Sequence, residues 1–67
     1  MRGRELLKQK IDESGLKVGF IAKKLGITTQ GFYYKMNGRN EFKASEIKIL
    51  KDILHLSEDE ITLIFLE

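Results

Sequence analysis

Apolar residues recur at steps of three and four positions along most of the chain, with polar and charged residues between them. Such spacing places the apolar side chains on one side of an α-helix. The most regular stripe consists of Val18, Ile21, Ala22 and Leu25. Gly26 follows directly, and glycine is the residue that most readily takes the left-handed conformation after a helix end. The pattern therefore predicts a helix that stops at this glycine.

A second short helix is predicted immediately afterwards. Thr28 occupies the cap position, where its hydroxyl can accept a hydrogen bond from a backbone N–H of the first turn. The helix covers about residues 29–36, with Phe32 on its inner side, and Asn37-Gly38 ends it. Ala22 and Gly26 are small where the two helices must cross closely. Together these features are typical of a helix-turn-helix motif.

One helix is predicted before this pair and another after it. The first covers about residues 4–13, and the other covers about residues 44–54. Lys43 stands where a serine or threonine cap is expected. The second of these helices therefore either starts with a weak cap or starts later, at Ser45.

The last segment opens with a capping box, Ser57 followed by Glu60, which favours a helix. Residues 61–66 are also rich in β-branched and apolar side chains, so a strand that pairs with a second copy is the alternative. In a helix, Leu63 and Leu66 face outward from a monomer and become candidates for a dimer interface. With this helix the sequence predicts five helices, an all-α fold and one domain over residues 1–67.

The composition of the chain indicates which kinds of protein it can be. The chain has 67 residues, no cysteine and no proline. Disulfides and thiolate metal sites are therefore excluded, and dimerisation would support the small core of such a domain. No apolar run approaches the roughly 18 residues of a membrane span, and the start of the chain has no apolar signal region. A cytoplasmic protein without membrane contact is expected.

The two parts of the chain carry opposite charge. Residues 1–43 hold ten lysines or arginines and four acidic residues, a net charge of +6, whereas residues 44–67 carry a net charge of −4. The positive part coincides with the predicted helix pair. This favours a polyanionic partner over a charge pattern that serves solubility alone.

One spacing spans the two central helices: Ala22, Gly26, Ile27, Phe32 and Asn37-Gly38. It resembles the helix-turn-helix of the phage repressor and Cro-like DNA-binding proteins, and the other predicted helices occur in the order of that family. The resemblance implies a five-helix lambda-repressor-like bundle with its motif over about residues 18–38. It also implies a transcriptional regulator that binds double-stranded operator DNA as a homodimer in the nucleoid of a bacterial cell, with repression favoured and activation left open. No cofactor and no small-molecule effector are expected.

The resemblance assigns DNA contacts to particular residues. The helix at about 29–36 would enter the major groove, where base edges carry a distinct pattern of donors and acceptors. Base contacts are assigned to Thr29, Gln30, Tyr33 and Tyr34, next to Thr28 at the cap. Gln30 could form a bidentate pair with adenine, or be an ordinary solvated residue. One of the neighbouring tyrosines must turn toward the protein, so Tyr34 either contacts DNA or packs on the domain.

Phosphate contacts are assigned around this helix. The residues are Lys17, Lys35, Asn37, Arg39 and Asn40. Lys17 precedes the first motif helix, where it can pair with a phosphate at the helix N-terminus. Two positions depart from the family pattern, because Val18 stands where glutamine is frequent and Lys35 stands where an apolar residue is usual.

Other functions have weaker support in the sequence. His55 is the only histidine, and its place at a predicted helix end favours a surface role over a catalytic one. No enzymatic activity and no metal site are expected. The competing hypothesis is a protein-interaction module, such as an antitoxin-like or adaptor domain, for which the tyrosines together with Leu63 and Leu66 would be suitable.

Overall fold

The protein is all-helical. The computed structural model describes residues 2–66, and no strand occurs within that range. Its helices, in chain order, are α1 (Arg2–Ser14), α2 (Val18–Leu25), α3 (Thr29–Met36), α4 (Ala44–Leu54) and α5 (Glu58–Phe65). The all-α prediction is confirmed, and the alternative of a strand in the last segment was wrong. No helix of the described range is long and apolar enough to cross a membrane.

The connection between α2 and α3 matches the expectation from sequence. Gly26 has a φ of 75°, and the N–H of Ile27 donates to the carbonyl of Ala22 at 3.0 Å. Thr28 then caps α3, because its Oγ1 accepts a hydrogen bond of 3.0 Å from the Gly31 N–H. Both helix ends are thereby satisfied within a connection of three residues, and α2 packs directly against α3.

The observed start of α4 decides between the two predictions, a weak cap at Lys43 and a later start at Ser45. The helix begins at Ala44, directly after Lys43, and not at Ser45. The Lys43 N–H donates to Oε1 of Glu46 at 2.8 Å. Glu46 therefore makes the half of a capping box that serves the cap N–H, while Lys43 makes no side-chain cap hydrogen bond to the first turn.

The core lies where four helices meet. Its fully buried large side chains are Leu7 of α1, Ile21 of α2, Phe32 of α3 and Leu50 of α4. Phe32 also meets Phe42 edge to face, with ring centroids 5.9 Å apart, and Phe42 meets Phe65 in the same way at 5.5 Å. These aromatic contacts connect α3 with α5 through the segment that precedes α4.

The first and last helices close the bundle. α1 begins two residues before the predicted start at Arg4, and its first turn lies against α5. A Cβ on Gly3 would come within 2.6 Å of the Leu63 carbonyl oxygen. The two backbones are therefore in direct contact, and this tertiary contact explains a helix start that periodicity alone did not predict.

The cap of α5 gives a stability prediction. The Ser57 hydroxyl accepts from the Glu60 N–H at 3.1 Å, and the Glu60 carboxylate accepts from the Ser57 N–H at 2.8 Å. Ser57→Ala is expected to lower the free energy of unfolding by about 0.5–2 kcal/mol, measured by urea denaturation. Ser45→Ala is the matched control, since Ser45 is exposed near a helix start without being its cap. Equal losses in the two variants would contradict the assigned cap.

Candidate nucleic-acid interface

The orientation of α3 is set by one buried residue. Phe32 has no exposed surface, whereas Tyr33 is 49% exposed. Thr29 and Gln30 are also exposed, so the predicted base-contacting side of the helix faces solvent. Thr28 is exposed too, and while its oxygen caps α3 its hydroxyl hydrogen stays available as a donor. The structure therefore brings Thr28, Thr29, Gln30 and Tyr33 to one end and one side of α3.

Tyr34 links two neighbouring side chains, a role that differs from both predictions made from the sequence, DNA contact and packing on the domain. It is half-buried, and its hydroxyl oxygen accepts a hydrogen bond of 2.7 Å from Nε2 of Gln30. The Arg39 guanidinium carbon lies 4.9 Å from the centre of the Tyr34 ring, which is a cation–π distance. The Arg39 N–H also donates to the Tyr34 carbonyl at 2.9 Å. Tyr34 thus joins a predicted base contact to a predicted phosphate contact.

The loop after α3 carries exposed polar residues. Asn37, Arg39 and Asn40 are all exposed. Gly38 has a φ of 84°, so the chain reverses between these residues and returns toward α1. The loop therefore lies beside the C-terminal end of α3, where the three side chains reach solvent together.

Lys35 does not belong to this exposed group. Its ammonium forms an ion pair of 2.9 Å with Oε1 of Glu46 and donates to the Glu41 carbonyl at 3.1 Å. The side chains of Lys35 and Glu46 are only 11% and 6% exposed. The predicted phosphate contact is therefore corrected: this lysine is occupied by an internal ion pair between α3 and α4.

The environment of Glu46 is consistent with an ionised carboxylate. Burial raises the pKa of the Glu46 carboxyl, but hydrogen bonds from the Lys43 N–H and the Lys35 ammonium outweigh that effect. The net pKa lies below the ordinary glutamate value. The carboxylate is thus ionised at neutral pH, and its ion pair with Lys35 holds the loop between α3 and α4.

The start of α2 lies close to the start of α3. Lys17 is the N-cap residue of α2, is exposed, and makes no side-chain capping bond. A Cβ on Gly19 would lie 3.8 Å from the Thr29 hydroxyl oxygen. The first turns of the two helices are therefore adjacent.

Sequence reasoning missed two residues near this surface. Phe20 is 44% exposed, with the Lys24 ammonium 5.3 Å from its ring centre. It is an apolar residue that lies off the buried stripe of α2, so the helical periodicity already indicates that it is exposed. Arg4 occupies the space that a side chain on Gly38 would fill, and it lines a cleft of about 420 Å³ together with Asn40. No local pattern links Arg4 to this loop, because the contact is between distant parts of the chain.

The distribution of ion pairs leaves the cations beside α3 without acidic partners. The pairs in the described range are Lys10–Glu60, Lys35–Glu46 and Lys51–Glu58. The acidic partners in these pairs belong to α4 and α5. In the first pair, the hydrogen bond with Glu60 raises the pKa of the Lys10 ammonium. No carboxylate within residues 2–66 pairs with Lys17 or Arg39. These two cations are therefore available to an external anion.

The two candidate residues for a dimer interface lie on α5 and at its C-cap. Leu63 is 43% exposed and Leu66 is 72% exposed. Their outward position in a monomer is confirmed, while the dimer stays a prediction.

His55 ends α4 in the left-handed conformation, with a φ of 55°, and it is exposed.

Comparisons with known protein families, with curated proteins and with solved structures found no match. The relation to repressor and Cro-like proteins therefore stays a prediction that rests on the spacing of residues 18–38.

Proposed function

We propose that the protein is a sequence-specific DNA-binding regulator of transcription, a repressor whose α3 reads operator DNA in the major groove. The observation that carries the proposal is the composition of one surface. An eight-residue helix presents Thr29, Gln30 and Tyr33 to solvent. Arg39 and Lys17 lie near its two ends, and neither forms an ion pair with a carboxylate of residues 2–66. Polar side chains between cations are what base reading with phosphate anchoring requires.

The arrangement of α2 and α3 supports a helix-turn-helix interpretation and a lambda-repressor-like bundle. In such a motif the N-terminal residues of the second helix contact base edges, while the first helix crosses the backbone. The adjacent first turns of α2 and α3 suit that division. Lys17 would then contact a phosphate at the N-terminus of α2, and Asn37 and Asn40 would contact phosphates beyond the other end of α3.

A homodimer is part of the proposal. One helix of this length reads only a few base pairs, and two copies spaced by one turn of DNA multiply the specificity. Leu63 and Leu66 are exposed apolar residues on α5 and its C-cap, and their burial in a second copy would support association.

The proposal predicts a defined loss on substitution of Gln30. Selection from random duplex DNA is expected to yield a palindromic site for the wild-type chain. Gln30→Ala is expected to relax one base position in each half-site, by about 1–3 kcal/mol or roughly 5- to 150-fold in relative affinity. Gln9→Ala is the matched control, because Gln9 is the other glutamine, is exposed on α1, and bonds only to Glu13. A wild-type protein that enriches no sequence would refute the proposal.

The second candidate function is a protein-interaction module. It is favoured by the exposure of Phe20 and Tyr33, two aromatic side chains near the same surface. Salt separates the two functions. Binding to phosphates weakens log-linearly with salt, with a slope of about 0.9 for each phosphate contact, whereas an apolar protein interface shows no such dependence.

A further inference from the structure

Three side chains of α3 and the loop that follows it are linked to one another. Gln30 and Tyr34 are one helical turn apart, so their side chains are neighbours, and the Gln30 Nε2 atom lies 2.7 Å from the Tyr34 hydroxyl oxygen. The Arg39 guanidinium lies over the other part of the same residue, 4.9 Å from the ring centre. A single tyrosine thus contacts both an amide and a guanidinium that face solvent.

The hydrogen bond leaves Gln30 with the groups that adenine requires. A glutamine amide has two N–H donors and a carbonyl acceptor. Tyr34 takes one donor, and within residues 2–66 the other donor and the carbonyl oxygen have no hydrogen-bond partner. Adenine presents an N7 acceptor and an N6 donor in the major groove, and these are complementary to that remaining pair. The bond with Tyr34 also selects which amide edge faces outward.

The contact between Tyr34 and Arg39 holds the loop that follows α3. A cation–π contact uses the charge of the guanidinium and none of its five N–H donors. Those donors can therefore still make a bidentate contact with a phosphate. The Arg39 N–H also donates to the Tyr34 carbonyl, so the loop is held to the same residue at backbone and side chain.

We infer that Tyr34 is a positioning residue for base specificity: it holds the Gln30 amide in the orientation that reads adenine and holds the Arg39 guanidinium for the neighbouring phosphate. The inference rests on the proposed function. It assigns Tyr34 no contact with DNA of its own. Its hydroxyl serves specificity through Gln30, and its ring serves affinity through Arg39.

Two variants separate these roles. Tyr34→Phe removes the hydroxyl and keeps the ring, so the preference for adenine at the Gln30 position is expected to fall about tenfold, because a free glutamine side chain must be ordered on binding. Affinity for non-specific DNA and its salt slope are expected to stay the same. Tyr34→Leu removes both contacts, so it is expected to lower affinity for every sequence as well. Circular dichroism and thermal melting establish that each variant is folded.

A second measurement needs no DNA. The chain has two glutamines, so a ¹⁵N spectrum contains one Gln30 side-chain amide pair and one Gln9 pair as an internal reference. Tyr34→Phe is expected to shift the Gln30 pair toward the position of a solvated amide and to leave the Gln9 pair unchanged. Tyr33→Phe removes the adjacent hydroxyl and is expected to leave both pairs unchanged.

The outcomes distinguish the inference from the function on which it rests. If the wild type selects a site and Tyr34→Phe selects it with the same base preferences, the positioning role is wrong and the DNA-binding function stands. An unshifted Gln30 amide in Tyr34→Phe would also overturn the inference. If the wild type selects no sequence, the proposed function fails and the specificity role fails with it.

Discussion

Phe32→Ala is expected to lower the free energy of unfolding by about 3–5 kcal/mol, one of the two largest losses expected from any single substitution in the protein. The side chain has no exposed surface, and it contacts Phe42 at the centre of the bundle. Truncation of a buried phenylalanine to alanine costs about 3–5 kcal/mol, from lost burial and from the cavity left behind. A domain of 67 residues has a total stability on the order of 3–10 kcal/mol. The loss is therefore at least about a third of the total stability, and at the lower end of that range it would unfold the chain.

Urea denaturation followed by helix circular dichroism measures this effect. Phe20→Ala is the matched control, since it makes the same chemical change at a side chain that is 44% exposed. We expect that control to lose less than about 1 kcal/mol. A Phe32→Ala protein as stable as Phe20→Ala would mean that α3 is not anchored through this residue, and its exposed side would then be undefined.

Glu46→Ala is expected to produce the other large loss, about 3–5 kcal/mol in the free energy of unfolding. The substitution leaves the Lys35 ammonium, only 11% exposed, without its carboxylate, and it removes the acceptor of the Lys43 N–H. Glu58→Ala is the matched control. Glu58 pairs with Lys51 at the surface, with its side chain 81% exposed, so its loss is expected to stay within about 1 kcal/mol.

A double variant tests the origin of that loss. Lys35→Met together with Glu46→Gln removes both charges, while the glutamine carbonyl still accepts from the Lys43 N–H. Replacement of a buried ion pair by uncharged groups is often neutral, so the double variant is expected to recover to within about 1.5 kcal/mol of the wild type. If it is no more stable than Glu46→Ala, an unpaired charge is not the cause.

The same carboxylate predicts a pH dependence. Because the pKa of Glu46 is lowered in the folded protein, its contribution to stability is complete above the ordinary glutamate pKa of about 4.3. It is lost as the pH falls through the lowered folded-state pKa. Glu60 also has a lowered pKa, chiefly through its hydrogen bond with Lys10. The difference between wild type and the double variant from pH 7 to pH 3 therefore isolates Glu46.

Much of the fold was predictable because it depends on local chemistry. The bounds of α2, α3 and α4 agree with those read from helical periodicity, and Gly26 and Thr28 act as expected at the connection. These features are encoded within a few residues of where they act. The early start of α1 was missed, since it depends on contact with α5, which is distant in sequence.

The candidate site was only partly predictable for the same reason. Exposure of Thr29, Gln30 and Tyr33 follows from the helical phase of Phe32. The internal pairing of Lys35 does not follow from the motif, because its partner is Glu46, eleven positions along the chain. A lysine in a basic segment was assigned to DNA, and only the three-dimensional packing reveals the carboxylate that holds it.

The contact of α1 with α5 also constrains how the molecule folds. These are the helices furthest apart along the chain, so their pairing requires the longest loop closure in the bundle and its full entropic cost. During synthesis, a nascent chain lacking α5 leaves part of the apolar surface of α1 uncovered. We therefore expect folding to be delayed until α5 is available to pack on α1, and then to occur as one cooperative event.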